Sequence, residues 1–197
     1  YPPIYHYTLT ALLHHPEPHI AVAWLNLGYL ALFVLSGAWI AFQLGGILPC
    51  VVALLALGLS PPIVSLHREV FPDISLAAWI ALAYALILRS SNFKIRRLSI
   101  GIGLCTALAL LSKWSAVVYL LAGVASGFRD PERRRNLALA CLSAAALCAP
   151  WYLINGFSVL PRVWTSMNLG AGEGDPAFLT LENWLYYPYF FTRCYGG

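Results

Sequence analysis

Three ionisable side chains and a histidine fall within seven residues, His67-Arg68-Glu69-Val70-Phe71-Pro72-Asp73. On either side, from Pro18 to His67 and from Ile74 to Leu88, the chain carries no Asp, Glu, Lys or Arg. A charge left in lipid costs about 2.5–3.5 kcal/mol or more, so a cluster between two apolar walls belongs at an interface or in a wet cavity. Arg68 offers planar donors that can grip a phosphate at two oxygens. Asp73 can hold a metal ion or orient a substrate. A plainer reading stands beside this one. Pro72 suits the first position of a helix, Asp73 complements the helix dipole, and Arg68 pairs with Asp73 or Glu69. Glu69 and Asp73 are four apart and would share a face of a continuous helix, which Pro72 interrupts.

Lys113 is the other outlying charge, alone between Leu98 and Gly127. It reads either as an interfacial lysine with its stem along apolar surface or as an ammonium in a water-accessible pocket. In a pocket it would stabilise a phosphate leaving group as charge develops on it. Tyr5, His6, His67 and Glu69 are candidate substrate contacts. His6, His14, His15 and His19 match no zinc spacing, so no metal site is assigned. A divalent cation held by Asp73 is the one cofactor left open.

The elements that position these residues are apolar helices. Of 197 residues 60% are hydrophobic and 10% charged, whereas soluble domains carry about 25% charged residues. The chain reads as an integral membrane protein. Its basic residues interrupt lipid-length apolar runs and form no continuous basic face, which excludes nucleic acid as a partner. Cys50, Cys105, Cys141 and Cys148 lie in apolar segments and form no C-x-x-C pair, so no disulfide framework is read.

Residues 1–19 read as an interfacial helix on the outer side, ended by His15-Pro16-Glu17-Pro18. Spans are expected at Ile20–Gln43 and Ile47–Val64, joined by a Gly45-Gly46 turn, and at Ile74–Leu88 after an outer loop at residues 65–73. Arg89, Lys94, Arg96 and Arg97 fill one loop; Arg129, Arg133, Arg134 and Arg135 fill another. Both are cytoplasmic by the positive-inside rule. The chain must therefore cross an even number of times between them. Leu98–Gly127 then divides into two short helices with Ser112-Lys113-Trp114 at the outer turn, or into a re-entrant pair that satisfies the same count. Leu137–Leu153 runs outward into an outer loop at 154–182, where Gly170, Gly172 and Gly174 suit a lid. All five histidines and six of the eight acids then face outward, and eight of the twelve Lys/Arg face the cytoplasm. Tyr1 in place of Met, and an aromatic run cut at Gly197, read as the ends of a piece of a longer protein.

Taken in order, these features form a resemblance. Tyr1-Pro2-Pro3-Ile4-Tyr5-His6-Tyr7 resembles the Pro-Pro-Leu-aromatic juxtamembrane motif of polytopic glycosyltransferases that use lipid-phosphate sugars. This is the GT-C fold group, which includes protein O-mannosyltransferases and bacterial aminoarabinose transferases. Ser60-Pro61 followed by Arg68 and Asp73 resembles that group's second outer loop. Leu111-Ser112-Lys113 is similar to its Leu-Thr/Ser-Lys turn, and Ala149-Pro150-Trp151-Tyr152 to its Pro-Trp-Tyr segment. The resemblance implies a partial GT-C domain: an all-α polytopic membrane helical bundle of about six spans, two of them short, truncated at both ends. It implies transfer of a sugar from a polyprenyl- or dolichyl-phosphate donor to a lipid, glycan or protein acceptor on the outer face of the plasma (inner) membrane, with inversion. Asp73 would be catalytic, and Arg68 and Lys113 would bind the donor phosphate. The group's leading outer-loop carboxylate, taken as the base, would precede Tyr1. From a different class, a transporter or flippase would need charges near mid-span and internal repeats; neither is present.

Overall fold

A computed structural model describes residues 3–12, 17–65, 72–172, 180–182 and 185, and all regular structure among them is α-helical. The chain divides into two compact units, Tyr1–Pro150 and Trp151–Gly197.

In the first unit α1 (Ile4–Leu12) precedes α2 (Pro18–Gly45), which begins with proline at its first position, where a missing N–H costs nothing. Gly46 ends α2 with φ 80°, and its N–H donates to the Phe42 carbonyl at 2.8 Å. Only a residue without Cβ enters this conformation freely, and α3 (Ile47–Gly58) starts at the next position. The sequence predicts one helix from Ile47 to Val64. Instead α3 stops at Gly58 and the chain restarts as α4 (Pro61–Ser65). Pro61 and Pro62 have no N–H to donate, and Pro61 disfavours helical backbone at the residue before it.

The centre of the unit is the antiparallel pair α5 (Asp73–Arg89) and α6 (Arg96–Ser112), which α7 (Ala116–Ser126) and the start of α8 (Pro131–Gly172) follow. Small residues let backbones approach: Ala83 and Ala85 are buried on α5 and Ala107 and Ala109 on α6, while Gly103 of α6 lies against Ser143 and Ala140 of α8. Leu76 and Ala83, Cys105 and Ala109, and Ala116 and Leu120 form one cluster across α5, α6 and α7. Tyr84 fastens α7 to α5, its hydroxyl donating to the Tyr119 carbonyl at 2.7 Å and accepting from the Gly123 N–H at 3.2 Å. Tyr29 and Leu30 of α2 pack on Ile74 and Ala78, and Gln43 Nε2 donates to the Ala85 carbonyl at 3.1 Å.

The turn from α5 to α6 is strained. Ser91, Asn92 and Phe93 have φ of 52°, 58° and 68°, a left-handed conformation that costs about 1–2 kcal/mol for each such residue. Burial of Phe93 offsets this, as does a bond from its N–H to Ser90 Oγ at 2.9 Å. Asn136 Nδ2 of α8 donates to the Phe93 carbonyl at 2.7 Å. The two basic segments therefore meet at one end of the α5–α6 pair, and Asp73 and Lys113 lie at the other.

The expected outer loop at 154–182 is corrected in its first part, because α8 remains helical to Gly172. Its polar side chains turn back on their own helix: Asn155 Nδ2 donates to the Trp151 carbonyl and Thr165 Oγ1 to the Pro161 carbonyl, each at 2.9 Å. Residues 173–179 lie outside the described residues.

Among the described residues two helices, His19–Gly45 and Pro131–Val159, are long and apolar enough to cross a membrane. Large apolar side chains stand exposed along α2, α3 and α7, among them Leu44, Ile47, Leu48, Leu55, Val118 and Leu121.

Candidate functional site

Pro72 sets the start of α5. Its φ of −70° suits a helical turn, and its carbonyl accepts from Ser75 Oγ at 2.8 Å and from the Leu76 N–H at 3.0 Å. Asp73 is the first helical residue and could have served the helix alone. Instead, no side chain caps α5, and Asp73 Oδ1 accepts a hydrogen bond from Lys113 Nζ at 2.7 Å.

Lys113 owes its position to the break between α6 and α7. Its backbone is extended, φ −157° and ψ 136°, its N–H closes α6 on the Ala109 carbonyl, and its carbonyl accepts from the Ala116 N–H to open α7. Because α5 and α6 are antiparallel, the first residue of one and the residue after the other meet across 40 positions of sequence. The two side chains are 45% and 30% exposed respectively. An ion pair so open to solvent contributes only about 0.2–1 kcal/mol to stability. Structure alone therefore gives little reason for it. An ammonium has three protons to donate, and among the described residues Asp73 is its hydrogen-bonding partner.

Asp73 also lines a groove of about 340 Å³. Leu76, Ala77 and Ile80 line it from α5, Phe33 from α2 and Tyr119 from α7. The Asp73–Lys113 pair lies at one end of an otherwise mostly apolar groove, so the arrangement suits an amphiphile with a polar head and a hydrocarbon tail.

Of the other residues expected at the site, Tyr5 is at this end but turned inward. It is fully buried, and its hydroxyl donates to Asn26 Oδ1 at 3.0 Å, against the Tyr29 ring. Burial raises its pKa above the usual phenol value. Tyr5 therefore fastens α1 to α2 and is not a surface contact for substrate. His6 is exposed, edge-on to the Tyr5 ring. His67, Arg68 and Glu69 lie outside the described residues, so the expected Arg68 pairing has no geometry here. Asn26, Phe33 and Tyr119 were not anticipated. Asn26 carried a signal, since a polar side chain in the apolar run Trp24-Leu25-Asn26-Leu27 needs a partner. Phe33 and Tyr119 carried none. Among the described residues no three His, Cys, Asp or Glu side chains gather.

The chain matches no protein-family model, no curated protein and no solved structure.

Proposed function

We propose that this chain is the membrane-embedded part of a glycosyltransferase that takes a sugar from a polyprenyl-phosphate donor and passes it to an acceptor on the non-cytoplasmic face. One observation carries the reading: residues from three separated motifs, around Tyr5, Asp73 and Lys113, converge at one end of the helical unit. The groove lined by Asp73 supports it further, because Lys113, bonded to Asp73 beside it, supplies the cation a lipid phosphate needs and the apolar lining suits its tail. On this reading the helices form a GT-C-like bundle of about six crossings, with the exposed apolar side chains facing lipid.

In the reaction, a general base takes the proton of the acceptor hydroxyl, whose oxygen attacks the anomeric carbon. The bond from that carbon to the phosphate oxygen breaks, and the lipid phosphate departs carrying the negative charge. Lys113 stabilises that charge where it develops. Asp73 holds the ammonium in place, so its role is to position Lys113. The donor phosphate then bonds to the remaining ammonium protons, and Arg68 is proposed to grip it as well.

The direct test is release of free polyprenyl phosphate by the full-length protein in lipid nanodiscs. Release that requires both donor and acceptor supports transfer. Movement of donor between leaflets with no release points to a flippase and overturns the proposal.

Sidedness is tested by labelling after removal of native cysteines. Ser112 is fully buried and makes a poor probe, whereas Ser115 is partly exposed and Ser91 exposed. A cysteine at Ser115 is expected to react with an impermeant thiol reagent from the outside, and one at Ser91 only after the membrane is opened. Reaction of both from one side contradicts the two-helix path through Lys113.

A further inference from the structure

At the end of the bundle away from Asp73, the segments 89–97 and 129–135 carry eight Lys and Arg against two acids, Asp130 and Glu132. Arg133 is paired with Asp130 at 2.9 Å. Arg96 and Arg135 are exposed, and among the described residues neither takes part in an ion pair. They come from different helices, α6 and α8, and line one groove of about 260 Å³. Asn136, whose Nδ2 bonds to the Phe93 and Lys94 carbonyls, fixes the two helices at this junction.

The rest of the groove is Ala138, Leu139 and Leu142. With Arg135 these lie at i, i+3, i+4 and i+7, one face of α8, so the lining changes from cationic to apolar along about 10 Å of helix. A free anion would use only the first part of such a groove. A phospholipid with an anionic headgroup uses both.

We propose that this groove binds one anionic phospholipid of the cytoplasmic leaflet, its phosphate between Arg96 and Arg135 and the head of its acyl chain along Leu139 and Leu142. The charge excess at this end supplies the complementarity that draws such a headgroup to the site. The proposal rests on the chain being embedded in a bilayer, and is independent of the transfer chemistry.

The test is native mass spectrometry of the full-length protein in neutral detergent, with equal phosphatidylglycerol and phosphatidylcholine added. One phosphatidylglycerol is expected to be retained in preference. Each arginine near an anionic surface adds roughly a fivefold factor, so Arg96→Gln with Arg135→Gln should lower retention about 25-fold. Arg129→Gln with Arg134→Gln, outside the groove, should lower it much less. Should the first double variant not fold, Leu142→Trp, which fills the apolar end from an exposed position, should likewise lower retention. Glycerol phosphate at the same concentration should not compete. Equal retention of the two lipids, equal losses in the two arginine pairs, unchanged retention in Leu142→Trp, or full competition by glycerol phosphate overturns the proposal. A protein that loses the lipid preference yet still releases polyprenyl phosphate fails this inference alone.

Discussion

Replacing Lys113 by alanine is expected to lower donor turnover about 10²–10³-fold, the usual loss when a preorganised charge at a leaving oxygen is removed. The lysine touches Asp73, which lines the groove; on the proposed reading its removal acts on the departing phosphate and not on the acceptor. If it stabilises charge only in the transition state, turnover and turnover divided by the donor Michaelis constant should fall together. If it only anchors the donor, the Michaelis constant should rise with turnover unchanged. Stability should change by no more than about 1 kcal/mol, because the pair is open to solvent. Steady-state kinetics with a short-chain lipid-phosphate sugar separate these cases. Unchanged donor kinetics would return Lys113 to the role of an interfacial lysine.

The second large effect is structural. A Cβ at Gly103 would run into Ser143 Oγ and the Ala140 carbonyl of α8. The second of these is backbone and cannot rotate away. Gly103→Leu should therefore push α6 from α8 and cost about 3 kcal/mol or more, the upper end of overpacking. Even Gly103→Ala should destabilise, although alanine favours helix over glycine by about 1 kcal/mol. Gly28 makes the control: nothing stands within 4 Å of its Cβ position, so Gly28→Ala should be neutral or stabilising. Thermal unfolding of the three variants in one detergent checks the signs. An unaffected Gly103→Leu would mean that α6 and α8 do not pack closely at this residue.

Local signals in the sequence were legible where a single residue forces the backbone. The glycine pair at 45–46, the proline before Asp73 and the lone lysine in an apolar stretch each mark a helix end that the structure contains. The break after Gly58 was only half legible. Pro61 and Pro62 announced that the helix would fray, but not that it would stop short of them. The stretch after Leu153 misled, because its glycines and polar side chains read as a loop. Asn155 and Thr165 satisfy their side chains on carbonyls four residues back, which no composition reveals. At the site, Asp73 and Lys113 could each be singled out by charge. Their pairing could not, since it depends on the register of α5 against α6, and that rests on packing spread over both helices, such as Leu76 and Ala83 with Cys105 and Ala109. The inward turn of Tyr5 has the same origin: it depends on Asn26, in another helix.

On the proposed reading, Asp73 acts through Lys113 on the donor phosphate. The measurement that bears on it most directly is donor turnover by Asp73→Asn, Lys113→Ala and the double variant of the full-length protein. If the two residues work as one unit, each single variant loses activity and the double variant is no worse than Lys113→Ala, with all three folding like the parent. If the losses multiply, the residues act separately. If Asp73→Asn turns over donor at the parent rate while unfolding about 0.3–1 kcal/mol more easily, Asp73 serves its helix and the account is wrong.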